Sequence, residues 1–359
     1  MLIVDAHLDL AWNALQWNRN LQHSVYTIRT QESRLSGAGR GRGTVALPEM
    51  RKGRVALCFA TLLARSTGKP LPNLDYSSPL QANAIAQGQL AYYRALAALN
   101  EVRVITDLTG LEDHIDAWLE WEYQTDPPQP KLGLVISMES ADPLLEPEQL
   151  AIWREAGVRI IGPAHYGLGR YAGGTSTENG FTAQGWKLLQ EMESENVILD
   201  LTHLSDQAFW QALDRFSGVV LASHNNCRAL VPHQRQFDDQ QIRAIVSRDG
   251  VIGAAFDNWM IRASWTLGAK DNDQVTLAHV TDHIDHICQL AGDSQHAAIG
   301  SDLDGGFGRE QSPSDLDTIA DVQHIADILS QRGYKDTDIA SIMHGNWLRL
   351  LRAAWNESH

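Results

Sequence analysis

The chain has 359 residues, 43% hydrophobic and 20% charged, and its 29 Lys and Arg against 44 Asp and Glu give a formal charge of −15. A surface that acidic repels phosphate backbones and anionic lipid, which argues against nucleic acid or a membrane surface as partner. The three cysteines, Cys58, Cys227 and Cys288, show no C-x-x-C spacing, which argues against a disulfide framework and a thiolate zinc site.

The chain opens on Met1-Leu2-Ile3-Val4-Asp5. This stretch has no basic n-region and no long apolar h-region, so it reads as a strand from Leu2 to Val4 and not as a signal peptide. Apolar runs of strand length follow at Val55–Leu62, Leu132–Met138, Val158–Ile161, Val197–Leu201, Val219–Ala222, Val251–Ala255 and Ala297–Gly300. They lack polar alternation, as strands buried on both faces of a parallel sheet do. Amphipathic stretches lie between them at Ala82–Leu99, Gly185–Glu195, Asp238–Ser247 and Leu277–Leu290. Gly157, Gly250 and Gly292 stand where a helix stops before the next strand. About eight strand–helix units predict a single (β/α)8 barrel of the TIM type over residues 1–359. An open doubly wound sheet is the alternative, but no Gly-rich phosphate loop follows the first strand. Arg34–Gly43 reads as a mobile loop, and Asp126–Pro130 as a turn or rigid spacer that no helix crosses. No apolar run approaches bilayer length and the C-terminal Trp355–His359 is polar, so a cytoplasmic enzyme is expected.

Residues able to bind metal recur where the strands end. The strand ends run Asp5-Ala6-His7-Leu8-Asp9, Met138-Glu139-Ser140, Pro163-Ala164-His165, Asp200-Leu201-Thr202-His203, Ala222-Ser223-His224 and Gly300-Ser301-Asp302. In a barrel the C-terminal strand ends converge on one mouth, so these residues are expected to meet. Alternate residues on an extended segment share a face, so His7 and Asp9 can address one ion. Taken singly, a histidine such as His203 is more often a hydrogen-bonded core residue than a ligand. Six such strand ends together are another matter, because a charge buried without a partner costs several kcal/mol. The ligand set is nitrogen and oxygen, which suits Zn2+, Mn2+, Co2+ or Fe2+. Carboxylates and imidazoles in this number suggest a hydrolytic centre of two divalent ions about 3.5–4 Å apart.

At this point the residues resemble the renal-type (membrane) dipeptidases, a branch of the amidohydrolase superfamily. The resemblance covers most of the chain. Beyond the strand ends it includes Ala156-Gly157-Val158-Arg159, Leu204-Ser205-Asp206, Asn225-Asn226-Cys227-Arg228-Ala229-Leu230, His283-Ile284-Asp285-His286-Ile287, Leu303-Asp304-Gly305 and Gly345-Asn346-Trp347-Leu348-Arg349. It implies that His7, Asp9 and Glu139 hold one zinc ion and that Glu139, His203 and His224 hold the other. A bridging hydroxide is then the nucleophile. His165 stabilises the tetrahedral oxygen, Arg235 binds the free carboxylate of a small dipeptide, and Asp302 passes a proton to the leaving amine. A homodimer is also implied. An Arg fork suits a carboxylate better than a Lys does, and a leaving amine requires a proton donor. The chain departs from the family in Ser140-Ala141-Asp142, where Gly often follows the bridging Glu. It departs again in the Tyr166–Tyr171 loop, which lacks an Asn, and in Leu10-Ala11-Trp12, where the family has a Pro.

Two alternatives stand beside this expectation. One is another amidohydrolase, such as an N-acyl amino acid hydrolase or lactonase, since one barrel supports many chemistries. The other is a non-catalytic metal-binding barrel. His283 and His286 read as the solvated face of a helix, and His296 lies at the wrong end of the barrel. Cys227 reads as a small buried residue, and Asp304 reads equally as a residue of the mouth or as a loop cap. Most tryptophans read as packing, with Trp12 and Trp259 the exceptions because both follow strand ends.

Overall fold

A computed structural model describes residues 1–123, 130–268 and 274–356. Most of the Asp126–Pro130 spacer lies outside the described residues. Among the described residues nine strands form one sheet: β1 (Ile3–Leu8), β2 (Val55–Leu63), β3 (Val102–Val104), β4 (Leu132–Glu139), β5 (Val158–Gly162), β6 (Ile198–Asp200), β7 (Val220–Leu221), β8 (Ile252–Ala254) and β9 (Ala297–Ile299). Hydrogen bonding runs in the order β7-β6-β5-β4-β2-β1-β9-β8, with every pair parallel. A bridge between Ala222 and Ile252 brings β8 back to β7, so eight strands make the predicted barrel. The addition is β3, which pairs with the first residues of β4 off this ring. Three residues reading Val-Arg-Val are too short to stand out as an apolar run.

The helices fall where the periodicity put them, at Pro79–Ala98, Ala183–Ser194, Asp239–Ser247 and Leu277–Ala291. Gly292 ends the last of these in the left-handed conformation, as its position predicted. One apolar cluster joins the helices to the outside of the strands. A second fills the barrel with Val4, Ala6, Leu57, Phe59, Val135 and their neighbours. The C-terminal helix, Asn346–Asn356, closes the end away from the mouth, with Trp347 set edge-on against Phe59. The motif residues Asn346 and Trp347 are therefore structural: their side chains donate to the carbonyls of Ser294, Ala297 and Ile299.

Two expectations need correction. His283 is not on a solvated face. It is fully buried, with Nδ1 accepting the Cys227 N–H at 3.1 Å and Nε2 bonded to the Ile261 carbonyl at 3.0 Å. Its neighbour His286 is only half-buried and pairs with Asp239 at 2.8 Å. The Arg34–Gly43 loop is exposed over Arg34–Ala38 but tied down from Gly39 onward. Arg40 pairs with Glu32, the Gly41 N–H donates to Glu32, and the Gly39 carbonyl accepts from Arg19. Arg19 is itself buried between Glu32 and Asp304, and Asp304 also accepts from Thr44 and Val45. Composition alone reads Gly and Arg as mobile, whereas here a buried ion network pins the backbone.

Candidate metal centre

The mouth is a cavity of 890 Å³ at the C-terminal strand ends. Along β1, Val4 and Ala6 face the barrel interior, and pairing with β2 slips between Asp5 and Leu8. Such a slip changes which residues face inward, and His7 within it and Asp9 beyond it both address the mouth. Asp5 is not part of the centre. Its carboxylate accepts from the backbone and hydroxyl of Ser301, which ties β1 to the end of β9. Asp200 does the same for the Thr202 and Ser223 N–H groups. These two acids brace the backbones that carry His7, His203, His224 and Asp302.

Glu139 stands at the middle. His7 Nε2 lies 3.6 Å from its Oε2, while His203 and His224 Nε2 lie 3.1 and 3.4 Å from its Oε1. Asp9 Oδ2 is 3.9 Å from His7 Nε2. Ligand atoms of His7, Asp9 and Glu139 form one group within 4.8 Å, and those of Glu139, His203 and His224 form another. His7, His224 and Asp302 make a third such group, which brings Asp302 within ligand reach as well. His165 Nε2 is 3.6 Å from Glu139 Oε1. Arg235 borders the same cavity, its Nη1 donating to Asn225 Oδ1 and its Nη2 to the His224 carbonyl at 2.8 Å. The eight residues singled out by the sequence therefore meet at one place.

The donor set fits divalent ions. His203 Nδ1 lies 2.9 Å from Thr175 Oγ1, and His224 Nδ1 lies 2.9 Å from Ser223 Oγ. Assigning each Nδ1–H to its hydroxyl leaves two Nε2 lone pairs 3.2 Å apart, both facing Glu139. Acceptors that converge without a donor repel one another unless a cation lies among them. His7 Nε2 and Asp9 Oδ1 are buried with no hydrogen-bond partner, and a buried polar atom in that state calls for an explanation. Burial holds His203, His224 and His165 well below the usual histidine range, and the Arg235 charge adds to this. They stay neutral, as ligation requires. Burial opposes a proton on His7, but Glu139, Asp9 and Asp302 together push it up to about 10. Burial raises Glu139 and Asp302. Bound cations reverse both effects by taking the place of the protons.

The backbone carries strain at the same place. Ser140, His203 and Asp302 have φ of +69°, +68° and +58°. Residues with a Cβ avoid this region at about 1–3 kcal/mol each, and such positions cluster at functional sites. The value at Ser140 explains why Gly suits the position after Glu139. Gly305 is required by contact: a Cβ there would collide with the Asp302 carboxylate.

A family model described as membrane dipeptidase, peptidase family M19, matches residues 1–359. The chain belongs to the membrane dipeptidase family. A protein encoded 5′ of pqqA in Klebsiella pneumoniae is 32% identical over 59% of this chain and 78% of its own. The dipeptidase tcpJ of Claviceps purpurea is 30% identical over 56% of this chain, and the match spans 46% of that relative's length. A metallopeptidase of Rhodobacter sphaeroides, crystallised with a phosphinate mimic of L-Ala-D-Ala, has the same fold, with a TM-score of 0.76 over 99% of both chains at 21% identity. Among the described residues no helix is long and apolar enough to cross a membrane.

Several residues of the mouth escaped sequence reasoning. Thr175 carries no signal, being a loop threonine 28 residues from its histidine. Ser223 is signalled only by adjacency to His224. Arg65 donates from Nη1 to His165 Nδ1 at 3.1 Å. Asp257, pushed up to about 7 by burial, accepts from Gln311 beside Arg235. Trp12 and Trp259 do line the cavity, as their positions after strand ends suggested.

Proposed function

We propose that this protein hydrolyses the peptide bond of small dipeptides, including those ending in a D-residue, at a pair of divalent ions, Zn2+ first among the candidates. The observation that carries the reading is the convergence of buried imidazoles on Glu139, with His7 Nε2 and Asp9 Oδ1 left without a hydrogen-bond partner. His7, Asp9 and Glu139 hold one ion, and Glu139, His203 and His224 hold the other. When bound, such a pair lowers the pKa of water toward neutrality and polarises the scissile carbonyl.

The remaining steps fall to side chains. Arg235 presents its guanidinium to the free carboxylate, a charge-assisted and geometrically specific contact. Because Arg65 donates to His165 Nδ1, the proton of His165 sits on Nε2, which faces Glu139. This N–H donates to the oxygen that gains charge as the carbonyl is attacked. Asp302 takes a proton from the attacking water and returns it to the leaving amine, and a buried carboxyl with a raised pKa suits both halves of that task. The L-Ala-D-Ala mimic held by the Rhodobacter relative supports substrates with a D-residue. The three cysteines are free and buried, which suits a reducing cytoplasm.

The test is elemental analysis of the purified protein alongside amine release from L,L and L,D dipeptides. Two zinc ions per chain with turnover are the expected result. Bound metal without any dipeptide turnover would refute the reading in favour of N-acyl amino acids or lactones.

A further inference from the structure

The dipeptidase reading leaves open what the side chain of the first residue meets. Strand order supplies an answer. Around the ring of eight, β2 stands four places from β7 and so faces it across the mouth. Arg235 follows β7. A dipeptide with its carboxylate on Arg235 and its peptide bond over Glu139 therefore extends its first residue toward β2.

The wall on that side is apolar. Leu63 ends β2, Leu71, Pro72 and Leu74 follow in the next loop, and Trp12 of the short helix Leu10–Leu15 after β1 stands beside them with Trp17. The wall is also fixed in shape. Trp12 Nε1 donates to the Asn73 carbonyl at 2.8 Å, and Leu71 and Asp75 pair across a tight turn. Two arginines reach this side, but their charges are already engaged. Arg40 Nη1 is 2.7 Å from Glu32, and Arg65 Nε is 3.4 Å from Asp75. A paired cation exerts little net pull on a further carboxylate, so shape and apolar surface decide the selectivity here. The volume decides the size: 890 Å³ is near the top of the range of about 300–1,000 Å³ for small-molecule sites, far more than two small residues fill.

We infer that the β2 side of the mouth is a subsite for a bulky apolar or aromatic first residue, such as Leu, Phe or Trp. The inference rests on the dipeptidase reading above. Its test is kcat/KM of the metal-loaded protein on X-Ala dipeptides with X = Gly, Ala, Asp, Lys, Leu, Phe and Trp. Leu-Ala and Phe-Ala should exceed Gly-Ala by at least about tenfold, since one methylene in an apolar pocket is worth about 10- to 200-fold. Leu71→Asp gives a second measurement. Leu71 is 50% exposed, so the fold tolerates the change. The ratio of Phe-Ala to Lys-Ala should move toward Lys-Ala by about two- to fivefold, the size of an exposed charge pair. A flat profile, a best rate on Gly-Ala or Asp-Ala, or an unmoved ratio in Leu71→Asp overturns this inference and leaves the dipeptidase reading standing. No turnover of any member overturns both.

Discussion

Removing one hydroxyl tests whether the buried histidines are built as ligands. Thr175 is wholly buried, and its Oγ1 lies 2.9 Å from His203 Nδ1. Valine has nearly the same shape but cannot accept the Nδ1–H. Leaving a buried donor unpaired costs about 1–3 kcal/mol. At about 1.4 kcal/mol per factor of ten, Thr175→Val should weaken the ion held by His203 by about 5- to 150-fold, which brackets the 10–100-fold typical for such supporting contacts. Should the ring respond by moving its proton to Nε2, the lone pair is lost and the change has the same sign. The ion beside His7 and Asp9 should be affected less, because Thr61 rather than Thr175 stands 3.4 Å from His7 Nδ1. Competition against a chromophoric chelator, fitted to two sites, reads both affinities. Thr175→Ser keeps the hydroxyl and should stay close to wild type. Wild-type affinity at both sites in Thr175→Val would refute the argument that the hydroxyl holds His203 for ligation.

Asp302→Asn should keep its metal and lose turnover by about 10²–10⁴-fold, the worth of general acid–base catalysis; a near wild-type rate removes Asp302 from proton transfer. Arg235→Met should raise KM for dipeptides by about 10- to 150-fold, from the 1.5–3 kcal/mol of a hydrogen bond to a charged group. A fall in kcat alone would instead point to displaced His224, whose carbonyl Arg235 also holds. Burial lowers His114 and His283 to about 4, so the folded state binds fewer protons than the unfolded state between that value and the ordinary 6.5. Stability should therefore be unaffected by these two groups above pH 6.5 and fall as pH drops from 6.5 to 4, by up to roughly 3 kcal/mol each. Their ring resonances in the folded protein should stay still from pH 8 to 5, and a midpoint near 6.5 contradicts the burial argument. Ser140→Gly removes a Cβ from a left-handed residue and should raise stability by about 0.5–1 kcal/mol in urea unfolding, the left-handed penalty less the entropy of Gly. A lower midpoint shows that the Ser140 side chain matters more than its backbone.

The barrel and the metal-binding set were legible because two strong signals coincide. Strands buried on both faces must be apolar throughout, so β1, β2, β4 and β5 announce themselves as runs. Most runs, those of β1, β4, β5, β6, β7 and β9, then lead into a residue that is costly to bury unless it has work to do, such as Glu139, His203 or His224, whereas β2 ends on Leu63. The parallel arrangement puts all those stops at one end. Asp5 and Asp200 gave the same signal for a different reason, since they satisfy backbone N–H groups between strand ends. No local pattern distinguishes the two uses of a buried acid.

Sequence by itself determined which residues end the strands, and so which ones meet, because burial constrains residue type wherever a strand passes through the core. Tertiary structure alone decided what surrounds them. The partnership of Thr175 with His203 depends on the path of a long loop. The tie between Arg65 and His165 joins residues 100 positions apart. The pinned Gly39–Gly41 stretch depends on Arg19 meeting Asp304 across 285 residues. The burial of His283 depends on the fold bringing Cys227 and Ile261 against its helix. Polar contacts of this kind leave no periodicity in the chain, since a threonine or arginine is unremarkable in sequence until the fold brings its partner to it.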